Sequence, residues 1–187
     1  MTSPSDPSDA RRGLRERLAE GPVICAEGYL FELERRGYLQ AGAFVPEVVL
    51  SHPDRVQALH EEFVHAGTDV VQAFTYYAHR EKLRLIGQEH LLESMNRQAL
   101  QIARNVALES GALLAGDVCN SNVFDPADPA TVAQVRAMFT EQVGWAAEAR
   151  HAAGHLGRIG LDPGNQAPEL LRIDSINLIG PSFDFRV

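Results

Sequence analysis

The sequence has no stretch approaching the roughly 20 apolar residues that span a bilayer as a helix. Residues 1–9 are rich in Ser, Pro and Asp and hold no apolar segment, so they do not read as a secretory signal. They read instead as the start of a disordered leader, residues 1–11. No basic stripe is present. The formal net charge is −8, with 17 Lys and Arg against 25 Asp and Glu, so nothing offsets the phosphates of a nucleic acid. Cysteine is scarce. Cys25 and Cys119 are the only two, each in or just after an apolar run. That fits reduced thiols, buried as small hydrophobes in a cytoplasmic protein, better than a disulfide scaffold. A glycine-rich phosphate loop is missing too. Glu27-Gly28 does not extend to G-x-G-x-x-G, and no G-x-x-x-x-G-K-[ST] element occurs, so nucleotide binding has no support. Low-complexity tracts and short-period repeats are also absent.

What remains is ordinary globular composition, 45% hydrophobic and 22% charged over 187 residues. Within it, one layout occurs three times. Residues 22–26, 69–74 and 112–118 are short apolar, β-branched runs. Each is followed by a polar or aromatic turn: Glu27-Gly28-Tyr29, Thr75-Tyr76-Tyr77 and Cys119-Asn120-Ser121-Asn122. Each turn leads into a helical pattern. Strand–helix alternation predicts an α/β fold, and a spacing of roughly 45 residues suits a (β/α)8 barrel with helical insertions. Such a barrel takes about 250 residues. Only the first three to four units are expected in this chain.

Helices are expected over residues 10–19, with Ser8 or Asp9 as N-cap, and over residues 28–36, with Leu30, Phe31 and Leu33 as apolar positions. Others follow at 46–50, at 54–66 (Val56, Leu59, Phe63, Val64), at 91–109 (Leu92, Met95, Leu100, Ile102, Val106, Leu108) and at 130–149, capped by Asp128. Past residue 149 the pattern stops. Residues 150–187 are expected to be a divergent tail, frame-shifted or truncated. An unclosed barrel would present sheet edges through which the chain could self-associate.

In a parallel barrel the loops after the strands carry the chemistry. Glu27, at the end of the first run, could hold a substrate ammonium or favour the start of the next helix. Phe74-Thr75-Tyr76-Tyr77 could form an aromatic cage for a quaternary ammonium. Alternatively its rings pack beneath a helix. Alternation along an extended chain would send one tyrosine to the mouth and the other to the shell. Cys119-Asn120-Ser121-Asn122 could bind a carboxylate or amine, or simply form a turn. His151 and His155 share a helical spacing, but the glutamate of the zinc-protease pattern is missing between them. A metal site there is not expected, and the other histidines show no ligand spacing.

One segment runs Ala26-Glu27-Gly28-Tyr29-Leu30-Phe31-Glu32-Leu33-Glu34-Arg35-Arg36-Gly37-Tyr38, and a second runs from Ala66-Gly67-Thr68-Asp69 through Gln72-Ala73-Phe74-Thr75-Tyr76-Tyr77-Ala78. With Ala41-Gly42, His52-Pro53 and Leu59-His60-Glu61-Glu62-Phe63 between them, these resemble the N-terminal part of the betaine–homocysteine S-methyltransferases within the homocysteine S-methyltransferase family. Weaker likeness reaches residues 116–122 and 142–149. The resemblance implies a homocysteine-binding barrel domain, here partial and covering residues 12–149. It implies homocysteine and a donor such as betaine as partners, with methionine as product, and neither nucleic acid nor membrane. It also implies a zinc ion that takes the homocysteine sulfur. Tyr77 matches the donor-binding tyrosine, and Glu27 and Gly28 lie in the motif for the amino-acid end of homocysteine. Thr75 and Asn120 complete the implied substrate-binding set. Ala73 stands where many relatives have threonine, and the acid of the first motif is displaced by one position. Cys25 and Cys119 lie in the wrong units to be the family's zinc cysteines, so no zinc is expected on this chain. The alternatives are a non-catalytic fragment or a small module that binds quaternary amines.

Overall fold

Apolar runs become strands only where backbone partners line up. In the computed structural model, which describes residues 13–40, 42 and 47–151, the second and third runs form two short parallel strands. These are β1 (Val70–Gln72) and β2 (Leu113–Ala115), with Val70 opposite Leu113 and Gln72 opposite Ala115. The ladder runs slightly beyond them. Leu113 N–H donates to the Asp69 carbonyl and Ala73 N–H to that of Ala115, each at 2.8 Å.

The first run is shorter than the sequence predicts. It contributes one parallel bridge, Cys25 to Val70, on the other edge of β1. The bonds are Val70 N–H to the Ile24 carbonyl and Ala26 N–H to the Val70 carbonyl, both 3.1 Å. The cause lies at its start. Pro22 has no N–H to give, and the Ile24 N–H donates to the Asp69 carboxylate at 2.8 Å instead of to a strand. Residues 24–26, β1 and β2 therefore run the same way and end together.

The helices among the described residues are α1 (Leu14–Glu20), α2 (Tyr29–Arg35), α3 (Val48–Ser51), α4 (Pro53–His65), α5 (Arg80–Leu85), α6 (Leu92–Ser110) and α7 (Pro129–His151). They match the expected order. Asp128 caps α7 as read, its carboxylate accepting from Ala130 N–H at 2.9 Å. Two apolar positions do not hold. Phe31 is 71% exposed, because Tyr29 and Leu33, one turn apart, take the core face of α2 and Phe31 lies opposite. Leu108 is also exposed, one step past the line of Ala99, Ala103 and Ala107. The leader, Ser8, Asp9 and residues 152–187, which include most of the expected tail and His155, lie outside the described residues.

The strand pleat sends alternate side chains to opposite faces. Val71, Ala73 and Leu114 join the core beneath the helices. The chief layer is α6, which packs on both strands and on α3, α4 and α7. Ala99, Ala103 and Ala107, all fully buried at four-residue spacing, let its backbone come close to the sheet. Gly111, at φ 76°, ends α6, and Arg17 of α1 donates to its carbonyl at 2.7 Å. No helix among the described residues is long and apolar enough to cross a membrane.

His60 of α4 is fully enclosed in this layer. It is hydrogen-bonded through Nδ1 to the Tyr29 hydroxyl at 3.0 Å and packs edge-on against that ring. Burial lowers its pKa from 6.5 to about 4. The unfolded chain thus takes up a proton below pH 6.5 that the folded chain refuses until about pH 4, and stability falls as pH drops through that window. From pH 7 to 5 the loss expected from His60 is about 2 kcal/mol. Urea unfolding of His60→Gln should show a correspondingly smaller drop between those pH values. An unchanged drop would place the acid sensitivity elsewhere.

Candidate functional site

Because the three parallel segments end together, the residues just beyond them meet at one end of the sheet. The face turned away from the helices carries Cys25, Val70, Gln72, Leu113 and Ala115 by the strand alternation. Val70 and Leu113 are buried at its lower part. Toward the carboxyl ends the lining becomes polar. Gln72 accepts from the Cys25 thiol at 3.7 Å, and its side chain lies close enough to Asp117 to favour that carboxylate. Glu27 lies close enough to raise Asp117 and Cys25 electrostatically.

Asp117 follows β2, half-buried. Burial pushes its carboxyl from 3.8 up to about 6. The bonds from Gln72 and from Val118 N–H pull the other way, and Glu27 adds to the rise. Two carboxylates and an amide thus share this face at the carboxyl ends of the segments. Such a set suits an ammonium, whose charge would relieve the repulsion. Neither Gln72 nor Asp117 stood out in the sequence. The available signal was strand parity, since residues 25, 27, 72 and 117 share one face once the register is known.

Gly28 is the N-cap of α2 at φ 82°, a left-handed conformation that suits glycine, and Glu27 is exposed beside it. Among the described residues Glu27 makes no hydrogen bond or ion pair, so its carboxylate is available to the mouth. Thr75 is buried, and its hydroxyl donates to the Asp117 carbonyl at 2.7 Å, tying the second loop to the third. Asn120 is exposed on the third loop next to Cys119.

The aromatic turn departs from the expected alternation. Tyr77 sits at φ 65°, left-handed, which is costly for a bulky residue. The kink returns its ring onto Tyr76, and the two stack with centroids 4.1 Å apart and planes 24° from parallel. Phe74 goes to the core. The turn is held tightly. Ala78 N–H donates to the Thr75 carbonyl at 2.8 Å. The Ala78 carbonyl accepts from two buried side-chain amides, Asn96 of α6 at 2.8 Å and Gln142 of α7 at 3.1 Å. Lys82 of α5 places its ammonium 4.2 Å from the Tyr77 ring centre. His79, buried beneath this turn, is shifted downward by burial first and by the Lys82 charge second.

Gly116 lies between β2 and Asp117. A Cβ there would sit 3.1 Å from the Cβ of Ala146, so its bare backbone lets α7 close onto the sheet. Helix α7 is further tied to α5 by the paired Arg80–Glu141 bonds, 2.7 and 2.9 Å.

The thiols do not fit a catalytic zinc, which takes three protein ligands. Among the described residues no three His, Cys, Asp or Glu side chains gather around a common point. Cys25 is exposed and Cys119 buried, which corrects the expectation that both are buried. Burial chiefly pushes both thiols up, Cys119 to about 11, away from the thiolate a metal requires.

The family model described as homocysteine S-methyltransferase matches residues 24–154. The chain is 40% identical over 123 residues to S-methylmethionine–homocysteine S-methyltransferase from Pongo abelii, covering 65% of this chain and 32% of that protein. It is 43% identical over 117 residues to betaine–homocysteine S-methyltransferase 1 from Xenopus tropicalis, covering 60% and 29%. Against the enzyme of that name from Bos taurus it is 36% identical over 146 residues, covering 75% and 35%. The chain thus spans about a third of the length of these relatives.

Two outcomes follow from the site. Asp117 is protonated more readily folded than unfolded, so its ionisation opposes folding as pH rises from 3.8 through about 6, and fully above that. Asp117→Asn should therefore stabilise the protein by about 3 kcal/mol at pH 7 and by little at pH 4. Equal denaturation midpoints at pH 7 would contradict this. Metal analysis of the purified protein should give far less than one zinc per chain, and a stoichiometric value would overturn the donor-set argument.

Proposed function

The chain belongs to the homocysteine S-methyltransferase family, and from that premise we propose that residues 12–149 are the first three to four units of a (β/α)8 barrel that binds homocysteine and a methyl donor. The single observation that carries this reading is the convergence of Glu27, Gln72, Asp117 and Tyr77 at one end of three parallel segments. The reaction proposed for the whole protein transfers a methyl group from betaine or a similar onium donor to the homocysteine sulfur. An S–CH3 bond forms, the donor's bond to that methyl breaks, and the thiol proton departs, leaving methionine and the demethylated donor.

In this reading Glu27 and Asp117 hold the homocysteine ammonium. Gly28 lets the chain turn beside it. Thr75 keeps the second and third loops together, and Asn120 offers an amide to the carboxylate. Tyr77 presents its π face to the donor cation. The described residues hold no set that would activate the thiol, and binding without turnover is part of this proposal. Zinc, which would supply a thiolate at neutral pH, belongs to the intact family in this proposal. The setting is a reducing cytoplasm in which Cys25 and Cys119 remain thiols. Self-association through the outer edge of β2 is part of the same reading, since no strand among the described residues covers that edge.

A module that binds quaternary amines alone is the competing reading, favoured only by the tyrosine stack. Calorimetry with homocysteine and betaine separates the two, because the module would ignore homocysteine. Tyr77→Ala should weaken betaine about fivefold, the size of a half-exposed cation–π contact of about 1 kcal/mol, and leave homocysteine unchanged. Glu27→Gln should do the reverse by a similar factor. If Tyr77→Ala leaves betaine binding intact, the ring serves packing rather than the donor.

A further inference from the structure

The Tyr77 ring is occupied on both sides. Tyr76 stacks on one face with centroids 4.1 Å apart, a spacing that leaves no room there for a second group. The Lys82 ammonium, 4.2 Å from the ring centre, must therefore cover the other face. Among the described residues no carboxylate pairs with Lys82. The nearby acid on its own helix, Glu81, is engaged instead by Arg84 at 2.9 Å and by the Gln134 amide at 2.8 Å. In the free protein the cation site on Tyr77 is thus filled by the protein's own cation.

A simple cation entering this site gains the ring but must evict an ammonium and then sit beside it, like charge against like. A ligand carrying a carboxylate close to its cation meets a different balance. Its cation takes the ring face, and the displaced Lys82 pairs with its carboxylate. The donors in the relatives' names, betaine and S-methylmethionine, both combine an onium centre with a carboxylate.

We infer that Lys82 is a specificity-determining residue: it guards the Tyr77 ring against bare cations and admits zwitterionic onium donors by exchanging the ring for their carboxylate. The inference rests on the donor-site reading of Tyr77 given above.

The test is binding of glycine betaine and of tetramethylammonium to the chain and to its Lys82→Met and Lys82→Arg variants, by calorimetry. Lys82→Met keeps the apolar stem and removes the charge. It should tighten tetramethylammonium about threefold and weaken betaine about threefold, so that the preference falls on the order of tenfold. Lys82→Arg should keep most of the preference. An unchanged ratio in Lys82→Met overturns the inference while leaving the donor site standing. Failure of both ligands to bind wild type and Lys82→Met alike overturns the donor site itself, and the inference with it. A second measurement needs no variant. The Lys82 ε-methylene protons should resonate upfield in the free protein, under the ring current of Tyr77, and return downfield as betaine is added. Unshifted resonances in the free protein would also overturn the inference.

Discussion

The parallel register of residues 24–26, β1 and β2 is the constraint on which the rest depends. Parallel pairing makes each segment deliver its following loop to the same end, so residues separated by more than 40 positions become neighbours. Only a few ladder bonds enforce it. Most of the holding force comes from one face, where Val71, Ala73 and Leu114 meet the alanine line of α6. The hydrophobic side fixes the register, and the register assembles the polar side.

The second dependence is a strained turn. A left-handed tyrosine costs roughly 1–2 kcal/mol and persists only if its surroundings dictate it. Here the surroundings are two buried amides on one carbonyl. Asn96 and Gln142 come from different helices and converge on Ala78. Either bond lost would leave a buried polar group short of a partner. The geometry of the aromatic stack is therefore written into α6 and α7, not into the turn itself.

Much of the fold was legible in the sequence. The helix order, the three apolar runs and the Asp128 cap follow from periodicity and capping chemistry. Strand length was not, because it is set by partners: Pro22 and the diversion of the Ile24 N–H to Asp69 shorten the first run, and no local pattern shows that. The candidate site drew attention at its loops and not at its floor. Glu27 and Tyr77 stand in conspicuous turns. Gln72 and Asp117 look like ordinary polar residues in or after a strand, and only the register reveals their shared face. The tyrosine pair misled because alternation presumes extended backbone, which Tyr77 abandons. His60 and His79 were unremarkable as scattered histidines, since burial arises from helix packing rather than spacing.

Gly116 has a consequence at a distance. It sets how closely α7 approaches the sheet, and α7 carries Gln142, one of the two groups that hold the Tyr77 turn. Seating of that helix and the conformation of that turn thus share the Gln142 bond. Linkage is reciprocal. Whatever favours the seated helix favours the left-handed tyrosine, and a ligand that prefers the left-handed tyrosine must tighten the helix by the same factor. A methyl group at Gly116 would press on Ala146, on the same helix that carries Gln142.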